Sequence, residues 1–221
     1  MTTYSILFLE LLQSEFGVVL MKSTISKRSF QAIYRFLDKF NPIQGDCGAL
    51  CGAACCLCST DSGPDTPASP SDENADHSMG LYLLPGEEQL FDGTEDWISW
   101  GSLQAEDYEF PESWHGRVPF FQCTTAPFCP REKRPLQCRT FPLAPHLDED
   151  GILYVIYHAD PLPYRCPLIE DRIPLDPDFI KATWTCWAHL IADPLIRDLV
   201  ELDSAIREEE GYPVEILWPL P

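Results

Sequence analysis

The sequence predicts a small α+β domain in which helices surround a few short strands and a cysteine-rich site organises the whole. Three observations carry that prediction. A chain of 221 residues with 45% hydrophobic content and six tryptophans can bury one core. Apolar residues recur with helical spacing near both ends, and β-branched and aromatic runs lie between them. Five of the ten cysteines fall inside "GDCGALCGAACCLCST", residues 45–60.

The elements follow in chain order. Residues 4–20 are apolar, but Glu10 and Glu15 interrupt them and no basic segment precedes them. A spanning helix needs about 20 apolar residues with few charges. The expectation is therefore no signal peptide and no membrane span, with residues 1–20 an N-terminal extension of uncertain status and Met21 a candidate start. A single domain is expected over 21–221. Within it, Phe30, Ile33, Leu37 and Phe40 predict a helix over 29–40, stopped by Asn41-Pro42. Residues 59–80, "STDSGPDTPASPSDENADHSMG", have almost nothing to bury and read as a flexible insertion.

"LYLLPGEEQLF", 81–91, reads as an extended segment leading into a helical turn at Glu87. "RVPFFQC", 117–123, and "ILYVIYH", 152–158, read as strands. A helix is predicted over about 177–191, with Ile180, Trp184, Trp187 and Ile191 on one face. Another is predicted over about 194–210, capped by Asp193, with Pro194 at its first position and Gly211 past its end. Its expected buried stripe is Leu195, Leu199, Leu202 and Ile206. Cys186, between two tryptophans, is read as core. The histidines, His146 and His158 included, are read as polar groups rather than ligands.

Charge narrows the function. The formal net charge is −20. Binding a phosphate backbone needs a basic footprint, so no nucleic acid partner is expected, and anionic membranes are disfavoured as well. Ten cysteines without a secretory signal point to a reducing compartment, hence the cytoplasm. There, clustered thiols act as ligands or redox groups more often than as disulfides.

The first cluster cannot close a site alone. Cys47, Cys51, Cys55 and Cys58 stand at i, i+4, i+8 and i+11, one face of a helix. Eleven residues of helix rise roughly 16 Å. A tetrahedral thiolate site needs its sulfurs within about 4 Å of one another. Either the segment is not one helix, as Gly45, Gly48 and Gly52 permit, or only neighbouring pairs share a site. In both cases further ligands must come from elsewhere, and the candidates are Cys123, Cys129, Cys138 and Cys166. Between Lys39 and Arg117 the chain holds fifteen Asp and Glu and no Lys or Arg. Negative surroundings keep thiols protonated, whereas a bound cation reverses that balance. Arg131, Lys133, Arg134 and Arg139 bring positive charge to the second cluster. They are expected to donate to sulfurs or carboxylates there.

Taken together, Cys47, Cys51, Cys55-Cys56, "LYLLPGE" through Glu87, Cys123, Cys129, "RPLQCRTFP" at 134–142 and Cys166 resemble the bacterial YkgJ-type CxxCxxCC family of zinc- or iron-chelating cysteine-cluster proteins. The resemblance covers roughly residues 43–170. The first spacing, C-x3-C-x3-CC, is looser than the family's, and Cys58 is extra. What the resemblance implies is a zinc or iron–sulfur site whose metal ligands are Cys47, Cys51, Cys55, Cys56, Cys123, Cys129, Cys138 and Cys166, with Arg134 and Arg139 beside the bound group. It implies a metal-binding role in structure, metal handling or electron transfer. A related domain in flagellin lysine N-methylases implies the alternative, a cluster-dependent enzyme that modifies protein side chains. No glycine loop for a nucleotide or S-adenosylmethionine is evident. Thiolate softness argues against magnesium and calcium without separating zinc from iron.

Overall fold

The computed structural model describes residues 21–57, 80–125 and 128–220. The readings made for residues 1–20, for Cys58 and for nearly all of the 59–80 insertion lie outside the described residues. The described chain is an α+β assembly of helices and two antiparallel three-stranded sheets. No helix in it is long and apolar enough to cross a membrane.

Helix α1, Lys27–Leu37, starts where Ser26 Oγ accepts the backbone N–H of Ser29 at 3.1 Å. It buries Phe30, Ile33 and Leu37 of the expected stripe, and Tyr34 as well. The helix closes at Leu37, ahead of the predicted Phe40. Turn hydrogen bonds from Lys39 to the Phe36 carbonyl and from Phe40 to the Leu37 carbonyl finish the segment. Two short helices follow, α2 at Gly48–Cys51 and α3 at Ala54–Leu57. Between them Gly52 and Ala53 stand at φ 61 and 59. Two successive left-handed residues break a helix, and glycine makes the first of them easy.

The first sheet has the order β1-β3-β2, with β1 at Gly80–Tyr82, β2 at Ile98–Gln104 and β3 at Arg117–Cys123. A 3-10 turn over Glu87–Leu90 follows β1. Strand β3 coincides with the run read from sequence. Strand β2, "ISWGSLQ", has no alternation for the sequence to betray. Four of its seven residues are exposed. Helix α4, Leu136–Thr140, carries Cys138. The second sheet has the order β4-β5-β6, with β4 at Leu143–Leu147, β5 at Leu153–Tyr157 and β6 at Ile216–Trp218. Strand β4 contains Pro145, which argues against a central strand but is tolerated here because β4 is an edge.

Helix α5, Pro167–Glu170, leads to α6, Pro177–Leu190, and α7, Pro194–Glu209. Both long helices begin at an Asp cap followed by proline, expected for α7 and found for α6 as well. Their buried faces are rotated from the predicted ones. Helix α6 buries Phe179, Ala182, Thr183, Cys186, Trp187 and Leu190, leaving Ile180 and Trp184 half-buried. Helix α7 buries Ile196, Leu199, Val200, Ser204 and Arg207. The reason is chemical. Ser204 Oγ accepts the Leu147 N–H at 2.9 Å, and Arg207 Nη1 donates to the Pro145 carbonyl at 3.0 Å. These polar side chains satisfy the outer edge of β4, so they belong on the inner face. The main core joins α1, α6 and α7 through residues such as Phe30, Leu37, Cys186, Leu190 and Ile196.

Candidate thiol site

The break at Gly52–Ala53 resolves the spacing problem of the first cluster. Cys47 caps α2, Cys51 ends it, and Cys55 and Cys56 sit in α3, so the four cysteines turn a corner rather than rise along one axis. Cys123 ends β3, Cys138 lies in α4, and Cys166 caps α5. Cys166 is buried in a core with Ala54, Val155, Tyr157 and Phe179, and Cys47, Cys51 and Cys55 pack against that same core. Cys123 and Cys129 instead pack against Leu83, Phe91, Trp97 and Phe121.

The thiols therefore form two neighbouring groups. Cys47 feels the charges of Cys51 and Cys166, and Cys55 feels Cys47 and Cys51. Cys138 feels Cys123, Cys56 and Cys129. Two runs distant in sequence, 47–56 and 123–138, are thus brought together. Adjacent Cys55 and Cys56, with sulfurs 3.9 Å apart, form the joint between the groups. A cavity of about 50 Å³ opens between them, lined by Cys47, Cys138, Arg131, Arg134 and Arg139 among others.

Burial pushes the Cys47 and Cys166 thiols up, and pushes Cys123 up to about 11. Surrounding protein and then the thiols of Cys123, Cys56 and Cys129 raise Cys138, whose exposed side lets water screen part of the effect. Either thiol of the Cys55–Cys56 pair can donate to the other, and with Cys55 as donor the negative charge falls on Cys56. That hydrogen bond and the Arg134 charge together hold Cys56 down at about 7, against the opposing effect of burial. Arg134 Nε donates to Cys129 Sγ at 3.2 Å, and its charge also favours the thiolates of Cys123 and Cys138.

Of the four cations expected to serve this region, Arg134 touches sulfur. Arg139 holds the local backbone: its fork donates to the carbonyls of Arg131, Arg134 and Tyr34 and pairs with Asp38, while its guanidinium stacks 4.2 Å from the Tyr34 ring centroid. Lys133 pairs with the buried carboxylate of Glu95 at 3.5 Å. Arg131 donates to the Phe40 carbonyl and the Asn41 side chain.

Sequence reasoning missed the job of Glu87. It does open the 3-10 turn, as read, but its side chain is fully buried and crosses to other elements. Oε1 accepts from Tyr34 Oη at 2.6 Å and from the Leu136 backbone at 2.8 Å, and Oε2 accepts from the Leu84 backbone at 3.1 Å. Leu136 is the first residue of α4, so Glu87 fastens the start of the helix that carries Cys138. Burial pushes its carboxyl up, and the three donors pull it back. Cys186 is core, as read. His146 pairs with Glu208 and His158 with Asp160, each at 3.7 Å.

The donor set consists of soft thiols with a cation beside them, the kind that suits zinc or iron–sulfur chemistry. The sulfurs converge without closing on one point. Among the described residues, no group of three or more Cys, His, Asp or Glu is arranged to hold an ion. No protein-family model, curated protein or solved structure matches the chain.

Proposed function

We propose that this chain is a metal-binding protein that holds zinc or an iron–sulfur cluster through clustered cysteine thiolates. One group would be Cys47, Cys51, Cys55 and Cys166, and the other Cys56, Cys123, Cys129 and Cys138, with Arg134 donating to sulfur and Arg139 bracing the surrounding backbone. The resemblance to the YkgJ-type family supports the same eight ligands. The observation that carries the reading is the convergence of two sequence-distant cysteine runs on one arginine, in a chain otherwise depleted of cations around its first cluster.

A metal would supply what the thiols alone lack. Partial burial and neighbouring thiols push Cys47, Cys123 and Cys138 up while Cys56 is lowered, and a bound cation would deprotonate its ligands outright. Such centres serve structure, metal handling or electron transfer, in a reducing compartment such as the cytoplasm and without nucleic acid. Purification under anaerobic conditions, followed by metal analysis, a visible spectrum and thiol titration, tests this. The expected result is stoichiometric zinc without colour, or iron with visible charge-transfer bands, and most of the ten thiols protected. A well-folded, metal-free protein with every thiol titratable overturns it.

A further inference from the structure

A second cavity, of about 190 Å³, lies beside Cys166, on the side lined by Tyr157, His158, Asp160, Arg172 and Glu215. That volume has room for a small organic ligand. Its charges are arranged unevenly. Asp160 faces His158 at 3.7 Å and the buried Arg207 at 3.5 Å, and Glu170 on its rim is paired with Arg165 at 3.3 Å. Those two carboxylates have cations of their own outside the cavity lining. Glu215 does not: its partner is Arg172, itself a lining residue, at 2.7 Å.

Arg172 also sits with its guanidinium carbon 4.7 Å from the centroid of the Tyr157 ring. A carboxylate to one side and an aromatic face beneath are the two elements that recognise a planar guanidinium. Here both elements engage the chain's own Arg172 side chain. The backbone that delivers this side chain is unusual, because Arg172 stands at φ 52, where residues other than glycine are disfavoured. Such conformations concentrate at functional positions. Arg172 and Glu215 side chains remain about half exposed, at 50% and 47%, so the pair can open without unfolding anything.

We propose that this cavity is a binding site for a small guanidinium compound, which displaces Arg172 from Tyr157 and Glu215. The site is independent of the thiol groups, apart from the wall that Cys166 provides, so its failure leaves the metal reading untouched. The probe is ethylguanidinium, which has six non-hydrogen atoms. Ethylurea is its neutral near-isostere, and ethylammonium is a cation without the planar fork.

Binding is read by NMR titration of aromatic resonances in the full-length protein. Ethylguanidinium is expected to shift Tyr157 with a Kd near 1 mM, an affinity within reach of so small a ligand. Ethylurea and ethylammonium should bind at least tenfold more weakly. Arg172→Gln empties the subsite and should tighten ethylguanidinium binding about fivefold or more, while Glu215→Gln should weaken it about tenfold. Circular dichroism spectra matching the parent confirm that both variants fold. No saturable shift, equal binding of ethylurea or ethylammonium, or an Arg172→Gln variant that binds no better each overturns the proposal.

Discussion

A carboxylate without solvent exposure and with three hydrogen bonds has no neutral substitute that keeps them all, and Glu87 is such a group. In Glu87→Gln, the amide oxygen can keep Tyr34 and Leu136, but the amide N–H2 then faces the Leu84 N–H. Two buried donors without an acceptor between them cost about 1–3 kcal/mol. For a chain of this size the expected fall in melting temperature is roughly 3–10 °C. Tyr34→Phe removes one of the three donors and also leaves Arg139 stacked on a ring without its anchoring hydroxyl, so a loss of about 1–3 kcal/mol is expected there too. Differential scanning calorimetry of both variants checks this, and a Glu87→Gln protein that melts with the parent contradicts the assigned role. Nothing in the sequence could name the partners of Glu87. Its place at the start of a turn is a local property, visible in "PGEEQL". Its partners on α1 and α4 lie 53 and 49 positions away, and only the folded chain brings them near.

At the scale of elements, what the sequence made legible was whatever depended on neighbours in the chain. The Asp193-Pro194 start of α7 and the run of β3 were readable because caps, fixed φ and β-branched runs are local physics, and the Asp176-Pro177 start of α6 repeats the same local signal. The buried faces were less so. A hydropathy stripe assigns Ser204 and Arg207 outward, yet the edge of β4 offers them a donor and an acceptor. Only the sheet topology reveals that edge. Asp193 combines both kinds of information. Its Oδ1 caps Leu195 and Ile196, as expected, while its Oδ2 accepts from Ser23 Oγ, Thr24 Oγ1 and the Thr24 backbone, tying the start of the described chain to α7. Losing a cap costs about 1 kcal/mol. Removing the charged acceptor of the part-buried Ser23 and Thr24 bonds adds about 1–3 kcal/mol. Asp193→Ala is therefore expected to destabilise by about 2–4 kcal/mol in chemical denaturation, well beyond an ordinary cap. A cost under about 1 kcal/mol would mean that the tie to Ser23 and Thr24 contributes nothing.

At the scale of the whole molecule, the two cysteine runs approach one another across a long stretch of chain: about 65 residues separate Cys58 from Cys123. That the two runs should meet was legible from charge and length. The first run lacked cations and could not close a site along one helix, and the second had both cysteines and arginines to offer. How the runs divide was not legible, because it depends on a break at Gly52–Ala53 that turns α3 against α2. Successive residues on a helix point about 100° apart, so neighbouring Cys55 and Cys56 address different groups. On the proposed function, metal binding would have a consequence beyond the ligands. Holding Cys56 to Cys123, Cys129 and Cys138 closes a long loop, whose entropy cost grows slowly with length, and the binding free energy becomes folding free energy. Cys138→Ser removes one ligand from the second group without touching residues 45–57. The expected outcome is lower metal content together with faster amide hydrogen exchange across α2 and α3, because those short helices would lose the partner that holds them. Hydrogen exchange read by mass spectrometry on the anaerobic protein decides the matter. Exchange at 45–57 that stays unchanged while metal is lost would separate the two groups into independent sites, and the division of ligands proposed here would have to be redrawn.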